Sequence, residues 1–177
     1  MDIPATLGSD AGLLLLRLVV GFLMIGHGLQ KAFGSFGGLG LEGTAPLFEA
    51  WGFRPARRNV MLAATVELIA APMLILGLLT PLACAMIVGV LLVAASVVAG
   101  NGLWATRGGF ELPMIYALVT AALALTGPGR FALDQVLGLA GYYSPAVGVG
   151  AIAVAVLAAY VFIAAARRTR AVQSGGA

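Results

Sequence analysis

Five long apolar runs constrain this chain more than any other feature. They are Ala11 to Phe33, Val60 to Leu79, Leu82 to Gly100, Leu112 to Gly127 and Pro145 to Ala166. A helix needs roughly 20 apolar residues to cross a bilayer. Four of the runs reach about that length, and the fourth in order is shorter. With 61% hydrophobic and 10% charged residues, the chain sits far from the roughly 25% charge of soluble domains. The expected fold is therefore all-α and integral to a membrane. Thr80-Pro81 separates the second and third runs and reads as a tight turn, so these helices should form an antiparallel hairpin. Pro113 fits the first turn of the fourth, where a missing N–H costs little.

Lysine and arginine placement sets the expected orientation. Lys31, Arg54, Arg57, Arg58, Arg107, Arg167, Arg168 and Arg170 fall on one side if there are five spans. Arg130 falls on the other, and Arg17 lies within the first span. The basic side is expected to be cytoplasmic, with the acidic N-terminus (Asp2, Asp10) outside. The start "MDIPATLGSD" lacks the basic region of a signal peptide, so the first span is read as retained.

Several chemistries are excluded. Cys84 is the one cysteine and His27 the one histidine. No intramolecular disulfide, CxxC redox pair, usual zinc site or bis-histidine haem can form within one chain. No Walker or dinucleotide-binding glycine motif appears. Basic residues sit beside apolar spans and not in a stripe interleaved with aromatics, so nucleic acid is not expected as a partner.

The residues under chemical pressure are the polar ones inside the spans. In "RLVVGFLMIGHGLQK", Arg17, Gly21, Met24, Gly28 and Lys31 share one helical face, with His27 beside it. The glycines suggest that this face packs on another helix. Arg17 and Lys31 can alternatively snorkel to opposite interfaces, and Lys31, at the end of the span, is expected at the cytoplasmic surface. Glu67 lies about 13 Å in from Arg58 by helical rise. A carboxylate at that depth needs a partner, a proton or water. Counting from Lys31, His27 is about 6 Å deep and Arg17 about 21 Å. These depths put Glu67 between the two and favour an Arg17–Glu67 pair. Glu67 can serve binding and proton handling, or can fix helix packing alone. His27 can exchange protons near neutrality or hydrogen-bond a neighbouring helix. Glu111 can cap the fourth span or approach Lys31. Tyr116, Asn101 and Trp104 are further candidates to complete a pocket.

The first loop, residues 34–58, contains "APLFEAWGF", with Leu47, Phe48 and Trp51 at helical spacing. It reads either as a short interfacial helix or re-entrant segment, or as an ordinary loop with an aromatic anchor. Gly150, Ala151, Ala155 and Ala159 in the fifth run have the small-xxx-small spacing of close helix approach.

The segments "RLVVGFLMIGHGLQKAFG", "VELIAAPMLILGLLTPLA" and "GGFELPMIYALVTAALALTGPGRFALD", in their order and spacing, resemble the DoxX family of small bacterial membrane proteins, within the DoxD-like group. The resemblance covers about Leu13 to Leu137. Ala132 stands where that family usually has serine. The resemblance implies a four-helix transmembrane core over residues 11–138 and an added C-terminal transmembrane helix over residues 145–166. A basic, disordered tail would follow at residues 167–177. The added helix is a candidate oligomerisation or docking element.

Family motif positions fall here on Arg17, His27, Gln30, Lys31, Glu67, Glu111 and Asp134. Relatives are described as membrane subunits of a thiosulfate:quinone oxidoreductase and of a complex for thiol and oxidative stress. By that resemblance the chain would be a membrane subunit of an oxidoreductase system in the bacterial cytoplasmic membrane. It would bind a quinone or similar apolar carrier, with no covalent cofactor and no metal. Glu67 and His27 would handle protons, and Arg17, Lys31, Gln30, Glu111 and Tyr116 would line the site. A single cysteine cannot run a dithiol cycle, so a soluble oxidoreductase partner is expected. A small proton-coupled transporter and a non-catalytic scaffold for soluble redox enzymes are the alternatives.

Overall fold

The computed structural model describes residues 5–174, so Asp2 lies outside the described residues. All regular structure among these residues is helical. The main helices are α1 (Ala5–Phe33), α2 (Gly40–Ala50), α3 (Ala56–Leu76), α4 (Thr80–Val98), α5 (Glu111–Thr126), α6 (Leu133–Val136) and α7 (Pro145–Ser174). Four of them, α1, α3, α4 and α7, are long and apolar enough to cross a membrane. With 16 residues, α5 measures about 24 Å, below the roughly 30 Å of a hydrocarbon core. Of the five spans expected, four are present as helices of spanning length, and the fourth run forms a helix shorter than a hydrocarbon core.

The helices pack as an antiparallel bundle. α3 lies against α1, α2 and α4; α4 and α5 pair; and α7 rests on α4 and α5. The hairpin expected at Thr80-Pro81 is present. α3 ends at Gly77, whose φ of 64° is left-handed. The Leu78 N–H then returns to the Met73 carbonyl at 2.8 Å, a Schellman closure. α4 opens two residues later with Pro81 in its first turn.

The α1 face predicted to pack does so. Arg17, Gly21, Met24 and Gly28 are buried, and the facing helix is α3. A Cβ on Gly28 would lie 2.7 Å from Leu68 Cγ and 3.3 Å from the Ala64 carbonyl, and one on Gly21 would meet Ile75 and the Ala71 carbonyl. These contacts fix the register. Gly21 sits level with the middle of Ala71–Ile75, and Gly28 with the middle of Ala64–Leu68. Carried along both helices, that register puts His27 level with Glu67 and Arg17 level with Gly77.

α2 resolves the first loop in favour of a helix. It packs on α1 and α3, and Phe48 gathers Trp51 and Phe53 at ring-centroid separations of 5.5 and 5.6 Å. α7 buries Gly148, Ala155, Ala159 and Ala166 rather than the Gly150 face, so much of its small-residue stripe is used within the chain. The helix also continues past Ala166 to Ser174, over most of the stretch expected to be a disordered tail. The reason is a docking contact: Gly52, at φ 87°, packs directly on the backbone of Ala166 and the side chain of Arg170. A side chain at position 52 would collide with both.

Candidate functional site

Glu67 does not pair with Arg17. Its partner is Lys31, whose Nζ donates to both carboxylate oxygens at 2.8 Å. The cause is the register. α1 ends at Phe33, level with the second turn of α3, while α2 and the first turn of α3 extend beyond it. The end of α1 is therefore not the surface of the molecule. Arg17 stands about 15 Å from the level of Glu67 along α1. Side chains on a helix lean toward its N-terminus, so in this antiparallel pair Lys31 and Glu67 lean toward each other and Arg17 leans away. Glu67 is 3% exposed and Lys31 25%. Lys31 has turned inward instead of snorkelling to the surface. Its remaining contact, to the His27 carbonyl, is long at 3.5 Å.

Arg17 is completely buried at the other end of the bundle. There it donates from Nη2 to the Phe131 carbonyl. Nε and Nη1 have no hydrogen-bond partner, but the Asp134 charge acts on the guanidinium. Asp134 is itself buried and accepts from the Leu79 N–H at 2.7 Å, the Thr80 N–H at 2.9 Å and the Thr80 hydroxyl at 2.7 Å. It thereby caps the N-terminus of α4 from a distant part of the chain, satisfying donors that a helix start leaves open. Its own N–H donates to the Gly77 carbonyl at 2.9 Å. Arg17 and Asp134 therefore clamp the segment after α5 onto the α3–α4 turn. Ala132, where a serine hydroxyl was expected by resemblance, is buried in this clamp. Partial burial first, and then the Asp134 carboxylate, raise the pKa of Tyr143 above the ordinary tyrosine value.

The other predicted positions divide. His27 Nδ1 pairs with Gln30 Oε1 at 3.2 Å, and its ring lies 6.5 Å from that of Tyr116, so His27, Gln30 and Tyr116 form a group between α1 and α5. Glu111 accepts from the Ala105 N–H at 2.8 Å and pins the α4–α5 connection. Asn101 donates to the Gly108 carbonyl at 3.0 Å in the same connection, and Trp104 is exposed.

A cavity of about 700 Å³ opens beside the Lys31–Glu67 pair. Its walls come from α3, α4 and α7, with α2 and the α4–α5 connection closing one end. Along α4 it runs from Ala85 to Val98, about 20 Å by helical rise. The walls are almost wholly apolar, and Lys31 and Glu67 are the charged residues in them. Phe48, Trp51 and Phe53 contribute from the α2 side and Phe162 from α7. Of the candidates named from sequence, Lys31 and Glu67 reach the cavity wall; Arg17, His27, Gln30, Glu111 and Tyr116 do not. Sequence reasoning missed the walls themselves, because apolar side chains lining a void look like any others in a membrane helix.

The arrangement can hold a mostly apolar molecule and meet it with one ammonium and one carboxylate. The comparisons add a family to this geometry. No curated protein and no solved structure matches the chain. A family model described as DoxX matches residues 12–100, half of the sequence, taking in most of α1, all of α2, α3 and α4, and both members of the buried pair. The chain belongs to the DoxX family.

Proposed function

We propose that this multi-pass membrane protein is the membrane subunit of an oxidoreductase system, and that it binds a quinone or similar apolar carrier in the cavity beside Lys31 and Glu67. The supporting observation is the pairing of a long apolar cavity with a single buried ion pair in its wall. Ligand sites of this kind are mostly apolar, with a few placed polar groups. The residues fit a quinone. Lys31 has three N–H donors; two meet Glu67 and the third makes only the long contact to the His27 carbonyl. That donor is available to a ligand carbonyl. A bound quinone would supply electron transfer coupled to proton transfer. Glu67 would hold or pass a proton at its carboxylate, while Lys31 orients the head group and balances the charge. His27, level with Glu67 and bonded to Gln30, would exchange protons with the pair. Arg17 takes no part in this reading.

In this reading the Lys31 end faces the cytoplasm of a bacterial cell, the N-terminus lies outside and the C-terminus inside, as the basic residues favour. Electrons come from a soluble oxidoreductase partner, because the chain carries one cysteine and no dithiol.

Trp51 lines the cavity, and Trp104 is the other tryptophan. In a Trp104→Phe background, a short-chain quinone should quench Trp51 saturably in nanodiscs. The saturable component should weaken when Val93→Phe fills part of the cavity. Quenching that stays linear in quinone, as for partition into lipid, would reject the site and promote the transport and scaffold alternatives.

A further inference from the structure

The end of the cavity closed by α2 carries a feature that the carrier reading does not use. The end of the bundle where α3 begins and α7 finishes holds Arg54, Arg57, Arg58, Arg107, Arg167, Arg168 and Arg170, against Glu42, Glu49 and Glu111. At the opposite end, among the described residues, the exposed Arg130 is offset by the partly buried Asp10. Two of the arginines, Arg54 and Arg170, come from distant parts of the chain and are brought to the same corner of the bundle. Gly52 packs on the backbone of Ala166 and on Arg170, which brings the end of α7 onto the α2–α3 turn. The Gln173 side chain lies beside the Arg54 guanidinium, with separations of 3.0 Å from Nη1 and 2.6 Å from Nη2 once its amide oxygen faces Arg54.

We propose that Arg54 and Arg170 form a binding site for the phosphate of an anionic phospholipid, whose acyl chain lies against Trp51 and Phe162, which also line the cavity. Arg170 makes no side-chain hydrogen bond or ion pair among the described residues. Arg54 also meets Glu49 at 2.9 Å, but both side chains of that pair are about half exposed, at 49% and 55%. Exposed pairs of this kind contribute little, so a phosphate oxygen can compete. Arginine is suited to phosphate because its planar fork donates two parallel hydrogen bonds. The apolar partners stand where a chain is needed. Trp51 is two residues from Phe53 and three from Arg54, and Phe162 precedes Arg170 by about two helical turns on the same face of α7. Trp51, Phe53 and Phe162 also line the cavity. Acyl chain and phosphate in one molecule describe a lipid, and not free phosphate. This site is independent of Lys31 and Glu67, so it can fail while the carrier reading stands, and the reverse.

The test is native mass spectrometry of the full-length protein, released from micelles carrying equal amounts of phosphatidylglycerol and phosphatidylcholine with matched chains. Wild type should retain one phosphatidylglycerol in preference to phosphatidylcholine. The Arg54→Gln/Arg170→Gln variant should lose that preference by at least about tenfold, taking roughly fivefold per basic residue near an anionic surface. Arg107→Gln/Arg168→Gln removes the same charge elsewhere and should keep it. So should Glu67→Gln. Equal retention of the two lipids by wild type would overturn the site, as would equal loss in the two double variants. Displacement of the retained lipid by millimolar inorganic phosphate would also overturn it, by showing that the chain contributes nothing.

Discussion

Lys31→Met is expected to destabilise the bundle more than Glu67→Gln, although both break the same ion pair. The two partners differ in their access to water: Glu67 is 3% exposed and Lys31 25%. Removing the ammonium strands a carboxyl group in an apolar wall, and breaking a buried pair in this way costs about 3–5 kcal/mol. Removing the carboxylate charge leaves a quarter-exposed ammonium on a flexible stem that can swing toward the nearby end of α1. That loss should be about 1–2 kcal/mol, the worth of hydrogen bonds to a charged group. The double variant Lys31→Met/Glu67→Leu strands nothing and should fall within about 1 kcal/mol of wild type, since apolar replacement of a buried pair is often neutral or better. Thermal unfolding in detergent followed by near-UV circular dichroism reads the difference, at about 2–4 °C per kcal/mol for a chain of this size. Lys31→Met should therefore unfold roughly 10 °C below wild type, with Glu67→Gln between them. If Glu67→Gln is as damaging as Lys31→Met, or the double variant as damaging as the worse single, the argument from unequal burial is wrong.

Further outcomes follow from the packing and the clamp. Asp134→Ala removes the acceptor for two backbone N–H groups and one hydroxyl, and should cost about 3 kcal/mol or more, measured in the same unfolding assay. Gly28→Leu should cost about 1–3 kcal/mol by forcing α1 from Leu68 and Ala64. Gly12→Ala, which meets nothing within 4 Å, should be neutral or slightly stabilising by helix propensity. Tyr143 has a raised pKa in the folded state, so its stabilising contribution is complete below about pH 10, the ordinary tyrosine value, and is lost as pH rises through the higher folded value. Tyr143→Phe should flatten the fall in stability between pH 9 and 11, as followed by unfolding at a series of pH values.

The helices were legible in the sequence because apolar length and turn chemistry act locally. The α3–α4 hairpin followed from Thr80-Pro81, and the buried face of α1 from the spacing of Arg17, Gly21, Met24 and Gly28. Pairings between helices were harder. The Arg17–Glu67 expectation took Lys31 and Arg58 as markers of one surface, when α1 ends well short of the level where α3 begins. Anchoring both helices at the Gly77 turn, and letting each side chain lean toward its own N-terminus, would have brought Lys31 to Glu67. The shortness of α5 was visible, but its tight connections to α4 and α6 were not. Asp134 was marked by resemblance alone. Its role as a cap for α4 depends on a contact across 54 residues, which no local pattern encodes. The cavity was equally hidden, since it arises where α7, packed on α4 and α5, stands away from α3 and leaves an apolar gap.

The most direct test of the central claim is to extract the protein into lipid nanodiscs and identify co-purifying quinones by mass spectrometry, normalised to quinone in the bulk lipid. Wild type and Glu67→Gln are run side by side. The account predicts enrichment near one quinone per chain in wild type and its loss in the variant. Quinone at the bulk-lipid level in both would contradict it, and would leave the Lys31–Glu67 pair as a structural contact in a protein that acts by other means.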